Sequence, residues 1–173
     1  QGRPQLTINV GGQVEQLVAT QDLVINEWTH LIVTFDGASA KLYMNGTLAG
    51  QAAVSATPRD ALGPNDYQSA EHLYVGRDAS GNYFQGRLED IRFYNATLTQ
   101  DEVDLVNSRA GAKLGEFYPE QPMVFDGLST TAESGVHDGQ VRTLAAWINP
   151  SSSDDVDYYE PILDSNDERD GGS

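Results

Sequence analysis

Hydrophobic and polar positions alternate along most of this chain, and the alternation stops repeatedly at glycine, asparagine or aspartate. A period of two puts successive side chains on opposite faces of a strand, so the pattern predicts many short, half-buried strands. Residues 6–10 (LTINV) alternate up to Gly11-Gly12 and 13–19 (QVEQLVA) resume, which predicts a hairpin on a glycine turn. Residues 28–35 (WTHLIVTF) predict a strong strand that ends at Asp36-Gly37. Residues 40–44 (AKLYM) run into Asn45-Gly46 and out through 47–54. Asn-Gly tolerates the positive backbone angles of a type I′ turn, so a second hairpin is expected here.

Residues 55–70, with Pro58, Gly63, Pro64 and Asn65, predict a loop. A strand at 72–76 (HLYVG), a turn at 78–82 and a strand at 83–94 (YFQGRLEDIRFY) follow. The pattern changes to a helical one once. Thr99-Gln-Asp-Glu102 forms a capping box, with Leu98 placed to staple onto Val103, and the predicted helix runs from 100 to about 108 and fades before Gly111. Beyond Pro119 the texture is again β, with strands expected at 123–127 (MVFDG), 141–150 (VRTLAAWINP) and 160–164 (EPILD), and a loop-like tail over 164–173. Many short strands, frequent turns and one small helix predict an all-β antiparallel sandwich.

Composition narrows the function classes. The 173 residues suit one domain, and 39% hydrophobic content suffices for one two-layer core. No apolar run reaches the ~18 residues of a membrane span, and no signal-peptide pattern opens the chain. Its first residue is Gln1 rather than Met, which reads as a processed or excised segment. The net charge of −16, from 26 acidic against 10 basic residues, opposes nucleic acid and anionic membrane, so no nucleic-acid partner and no membrane insertion are expected. Abundant acid with only Lys41 and Lys113 as lysines fits a soluble acidic surface, a high-salt setting or calcium binding. The chain has no cysteine, which excludes disulfides, thiolate metal sites and a cysteine nucleophile.

Five linked segments carry a resemblance: 28–37 (WTHLIVTFDG), 41–46 (KLYMNG), 73–76 (LYVG), 84–95 (FQGRLEDIRFYN) and 98–103 (LTQDEV). Together they resemble the second part of laminin-G-like domains of the concanavalin-A-like lectin/glucanase superfamily, which implies a jelly-roll β-sandwich. Residues 123–127 (MVFDG), 143–150 (TLAAWINP) and 161–164 (PILD) resemble the front of such a domain. Residues 1–118 therefore read as the C-terminal two-thirds of the sandwich and 119–173 as its N-terminal third, in circularly permuted order. Either the chain is one register of a tandem array, or it is a true permutant. Residues 1–118 alone would leave sheet edges open and half a core exposed. The strands of 123–163 complete it, from the same chain or by exchange with a neighbouring copy. Residues 109–122 could span about 45 Å if extended. Closing such a loop costs little, which favours closure within the chain.

The resemblance implies a non-catalytic, extracellular or cell-surface recognition and adhesion module that binds a glycan or a cell-surface or matrix protein. A structural subunit of a surface layer or filament, joined by strand exchange, is the alternative. A glycoside hydrolase is a remoter one, because retaining hydrolysis needs two carboxylates ~5 Å apart across one cleft. Glu89 and Asp90 are adjacent on a strand and are expected to face opposite ways. His30, His72 and His137 are scattered, and His30, beside Trp28 in a strand, reads as a packed, hydrogen-bonded residue.

Ca²⁺ is the cofactor the acidic loops suggest, since a hard cation takes six to eight oxygens. One candidate set is Asp164, Asn166 and Asp170 in the tail, and a second pairs Asp126 with Asp90. The competing reading of both is a solvated acidic surface. For a glycan, exposed aromatics beside amides and carboxylates are needed. Asn65, Asp66 and Tyr67, then Asp78, Asn82 and Tyr83, then Tyr158 and Tyr159 meet that description, although each tyrosine could equally pack at the sandwich edge.

Overall fold

A computed structural model describes residues 2–10, 13–55, 74–76, 82–109, 123–126, 132–133, 142–151 and 162–164. Gln5–Val10 (β1) and Gln13–Val18 (β2) pair antiparallel, in agreement with the hairpin expected from their sequence. Thr29–Phe35 (β3), Ser39–Met44 (β4) and Thr47–Ala53 (β5) form a meander. Asn45 and Gly46 both have positive φ, 50° and 80°, at the tight turn between β4 and β5. Tyr74–Val75 (β6), Gln85–Tyr94 (β7) and the helix Gln100–Arg109 (α1) follow. The chain then supplies Met123–Asp126 (β8), Ala132–Glu133 (β9), Thr143–Pro150 (β10) and Leu163–Asp164 (β11). Strand β9 has no counterpart among the sequence expectations. At two residues it is too short to show an alternation.

The large sheet has six strands in the order β5-β4-β3-β10-β7-β8. Strand β10 lies between β3 and β7, antiparallel to both, with Ala146 opposite Leu31 and Ile148 opposite Leu88. The segments before and after Pro119 thus share one sheet. A two-stranded unit, β1-β2, and a three-stranded one, β11-β6-β9, complete the β structure.

Alternation decides what each face of the large sheet meets. On one face Val33, Phe35, Ala40, Leu42 and Met44 pack with Ile8 and Leu17 of the β1-β2 hairpin. Further along the same face, Leu88, Ala146 and Ile148 pack with Val75 and Phe84. This is the sandwich core. The opposite face carries Ile32, Tyr43 and Ala145, against which Val103 of α1 is fully buried. The helix therefore lies on the outer face of the sheet.

Local chemistry holds the helix start. Thr99 N–H donates to Glu102 Oε2 at 2.8 Å, which realises the capping box. This bond, with a second from Thr99 Oγ1 at 2.9 Å, holds the exposed Glu102 carboxyl below the usual carboxylate range. Leu98 and Val103 join the same cluster, as the staple requires. Thr143 Oγ1 donates to the Ala96 carbonyl at 2.8 Å and accepts from Leu98 N–H at 3.2 Å, tying the entry of α1 to β10.

Candidate functional site

The sequence-derived candidates fall mostly outside the described residues: Asn65, Asp66, Tyr67, Asp78, Tyr158, Tyr159, Asn166 and Asp170 lie there. Asn82 and Tyr83 are half-buried just ahead of β7. Asp164 ends β11, opposite Tyr74 of β6. Asp126 ends β8 opposite Gln85, whereas Asp90 sits five residues further along β7. That spacing is about 16 Å of strand, so the antiparallel register does not bring Asp126 and Asp90 together.

Asp90 is also committed elsewhere. Its two oxygens take Arg92 Nε at 2.6 Å and Nη2 at 2.7 Å, a bidentate pair. Asp90 has a φ of 54° where the β7–β10 register shifts between Ala145 and Trp147. Trp147 faces Glu89 and Ala145 faces Arg92, so β7 holds an extra residue, a bulge. Simple alternation past Glu89, as the sequence reading assumed, therefore does not hold. The left-handed residue re-aims the strand so that Asp90 and Arg92 can chelate each other across one position.

The most unusual chemistry among the described residues lies on the helix-bearing face, beside the last turn of α1. His30 is fully buried. Its main chain is fixed by Asn45, whose Oδ1 accepts from His30 N–H at 2.9 Å and whose N–H donates to the His30 carbonyl at 2.9 Å. The ring stacks on Trp147, with centroids 4.9 Å apart and 20° between planes, as expected for residues directly opposite on β3 and β10. Asn107 of α1 places Oδ1 3.0 Å from His30 Nδ1. A carbonyl oxygen only accepts, so the proton sits on Nδ1 and Nε2 carries a lone pair.

Two residues along β10 from Trp147, Asn149 occupies the same face and is buried, opposite Arg87 of β7. The β3–β10 register carried one step further sets Trp28 on its other side. The Arg87 guanidinium carbon lies 5.6 Å from the Trp28 ring centroid. The two side chains thus meet above the strand that separates them and close over Asn149. Such a cation–π contact at an exposed site is worth about 0.5–1 kcal/mol. Among the described residues, three buried side-chain atoms lack a hydrogen-bond partner: His30 Nε2, Trp147 Nε1 and Asn149 Oδ1. All three belong to this one patch.

Burial, more than any other influence, pushes the His30 pKa below the ordinary histidine value; the Asn107 hydrogen bond and the Asp90 charge oppose it and Arg92 adds to it. A histidine depressed in the folded state leaves the unfolded chain the better proton acceptor. The stability it contributes is therefore complete above about pH 6.5 and is lost as pH falls below that. Urea denaturation should show wild type losing up to about 1.4 kcal/mol per pH unit there more steeply than His30→Gln. Parallel profiles of the two proteins would contradict this.

Residues 1–104 match the laminin-G model of the concanavalin A-like lectin/glucanases superfamily, more than half of the chain. The chain belongs to this family. The match confirms the resemblance read from the five motif segments, and the sandwich with one short helix agrees with it. A stretch of 91 residues is 31% identical to part of pappalysin-1 of Mus musculus, covering 53% of this chain but 5% of that protein. No solved structure matches the chain significantly. The laminin-G-like match ends before β8 and β10, so Trp147 and Asn149 lie outside it.

Sequence reasoning identified His30 as a packed, hydrogen-bonded strand residue, and it is one. It did not assemble the patch. The available signal was the spacing of Trp28 and His30 on one strand and of Trp147 and Asn149 on another, which puts each pair on one face.

Proposed function

We propose that this domain is a non-catalytic, extracellular recognition module that binds a glycan or a surface protein, within a longer protein of repeated domains. Family membership over residues 1–104 carries the reading, because domains of this type generally bind rather than catalyse. The chelated state of Asp90 fits it, since a carboxylate held bidentate by Arg92 is poorly placed to act as nucleophile or acid. The net charge of −16 fits Ca²⁺ as a cofactor of binding, held by carboxylate and amide oxygens. A glycan array probed with the full chain, with and without a chelator, tests the reading. Saturable binding to a defined set of glycans is expected. Silence on that array, together with no capture on an array of surface and matrix proteins, would overturn it.

A second reading has its own observation. Strand β10 occupies the centre of the six-stranded sheet yet lies outside the family-matched stretch. Copies could therefore exchange residues 123–163 and assemble head to tail as a layer or filament. Mass measured across a wide concentration range decides it: a species that stays monomeric throughout excludes exchange.

A further inference from the structure

We propose that the helix-bearing face of the large sheet holds a binding subsite for one neutral sugar residue, formed by His30, Trp147 and Asn149 and closed by the Arg87–Trp28 pair. The inference rests on the recognition-module reading and assigns it a place and a ligand class.

Buried polar atoms are almost always hydrogen-bonded, and each exception in a folded protein asks for a cause. Here three exceptions fall on neighbouring positions. His30 and Trp147 are directly opposite each other, and Asn149 is the next residue of β10 on that face, about 7 Å along. Their unused capacity is specific: one indole N–H that can only donate, and two acceptors, His30 Nε2 and Asn149 Oδ1. A carboxylate or phosphate would face two lone pairs and is unsuited. A cation would face the indole N–H. Hydroxyl groups both donate and accept, so a polyol satisfies all three atoms. The aromatic faces of Trp28 and Trp147, both half-buried, offer apolar surface for the C–H side of a sugar ring.

The cover is built from the surface, not the core. Arg87 is exposed and Trp28 half-buried, and the contact between them is of the weak kind that can part and re-form. Ligand hydroxyls reach the three atoms when the pair opens.

The chain has two tryptophans, and both lie in this subsite, so its intrinsic tryptophan emission reports there. The full chain is titrated with glucose, galactose, mannose, N-acetylglucosamine and cellobiose up to high millimolar concentration, following emission and acrylamide quenching. At least one sugar should give a saturable shift with reduced quenching. Asn149→Leu removes an unpartnered buried acceptor, so it should keep or raise Tm while weakening that response about tenfold or more. Arg87→Ala, at an exposed position, should raise quenching in the free protein.

No shift with any of the five sugars overturns the subsite and leaves water as its sole occupant, as does an Asn149→Leu protein that binds like wild type. Should Asn149→Leu not fold, unchanged quenching and unchanged sugar response in Arg87→Ala overturn it instead. The glycan array separates the two levels. Array binding that Asn149→Leu retains sinks this subsite alone, whereas an array silent for wild type sinks the glycan reading beneath it.

Discussion

A chain that stops at Arg109 is expected to lose cooperative unfolding, although it contains the whole stretch matched to the family. Without β10, strands β3 and β7 have no neighbour between them, and the ladders registered from Thr143 to Pro150 disappear on both sides. Leu88, fully buried in the complete chain, would lose Ala146 and Ile148 from its core cluster, and the facing edges of β3 and β7 would meet water. Loss of the buried Ile148 side chain alone costs about 2–5 kcal/mol, against a total stability of about 5–15 kcal/mol for an ordinary domain. Removal of the whole strand therefore exceeds what the rest can supply. Urea titration followed by far-ultraviolet circular dichroism is the measurement. A sharp transition in the 1–109 chain would show that the family-matched segment folds by itself. The complementary expectation is that residues 110–173, added as a separate chain, restore the transition by filling the same slot.

Gly86→Ala should lower Tm by about 10 °C, corresponding to about 3 kcal/mol in a domain of this size. A Cβ at Gly86 would stand 2.4 Å from the Asn149 backbone oxygen and 2.8 Å from Phe84 Cζ. The first neighbour is main chain in the adjoining central strand, where Gly86 pairs with Pro150, so it cannot swing aside as a flexible side chain would. Relief requires β7 and β10 to part and Phe84 to shift within the core cluster it shares with Leu88 and Ile148. A thermal melt that moves by less than about 2 °C would mean that the sheet yields there at little cost. Because Arg87 follows directly, the same variant is expected to disturb the Arg87–Trp28 contact, which acrylamide quenching would register.

What the sequence by itself determined is short-range. The Asn45-Gly46 turn, the capping box between Thr99 and Glu102 and the staple from Leu98 to Val103 depend on residues within a few positions of one another, and all three are present. Strands β3 and β4 stood out as largely apolar runs stopped by Asp36-Gly37 and Asn45-Gly46, and β7 because burial alternates over Gln85–Glu89, all within short windows. The family resemblance was legible for a related reason: its motif segments are themselves turns, strands and a helix start.

The tertiary structure alone decided what required partners distant along the chain. Alternation cannot say that β10 enters between β3 and β7, since every half-buried strand offers the same hydrogen-bonding edge. The bulge at Asp90 was hidden because an extra residue is defined only against the strand opposite. The patch of Trp28, His30, Arg87, Trp147 and Asn149 draws on three strands from both ends of the chain. Each of those residues alone reads as ordinary strand. Pairing register, set by packing over the whole sheet, turns them into neighbours and leaves three of their polar atoms unmet.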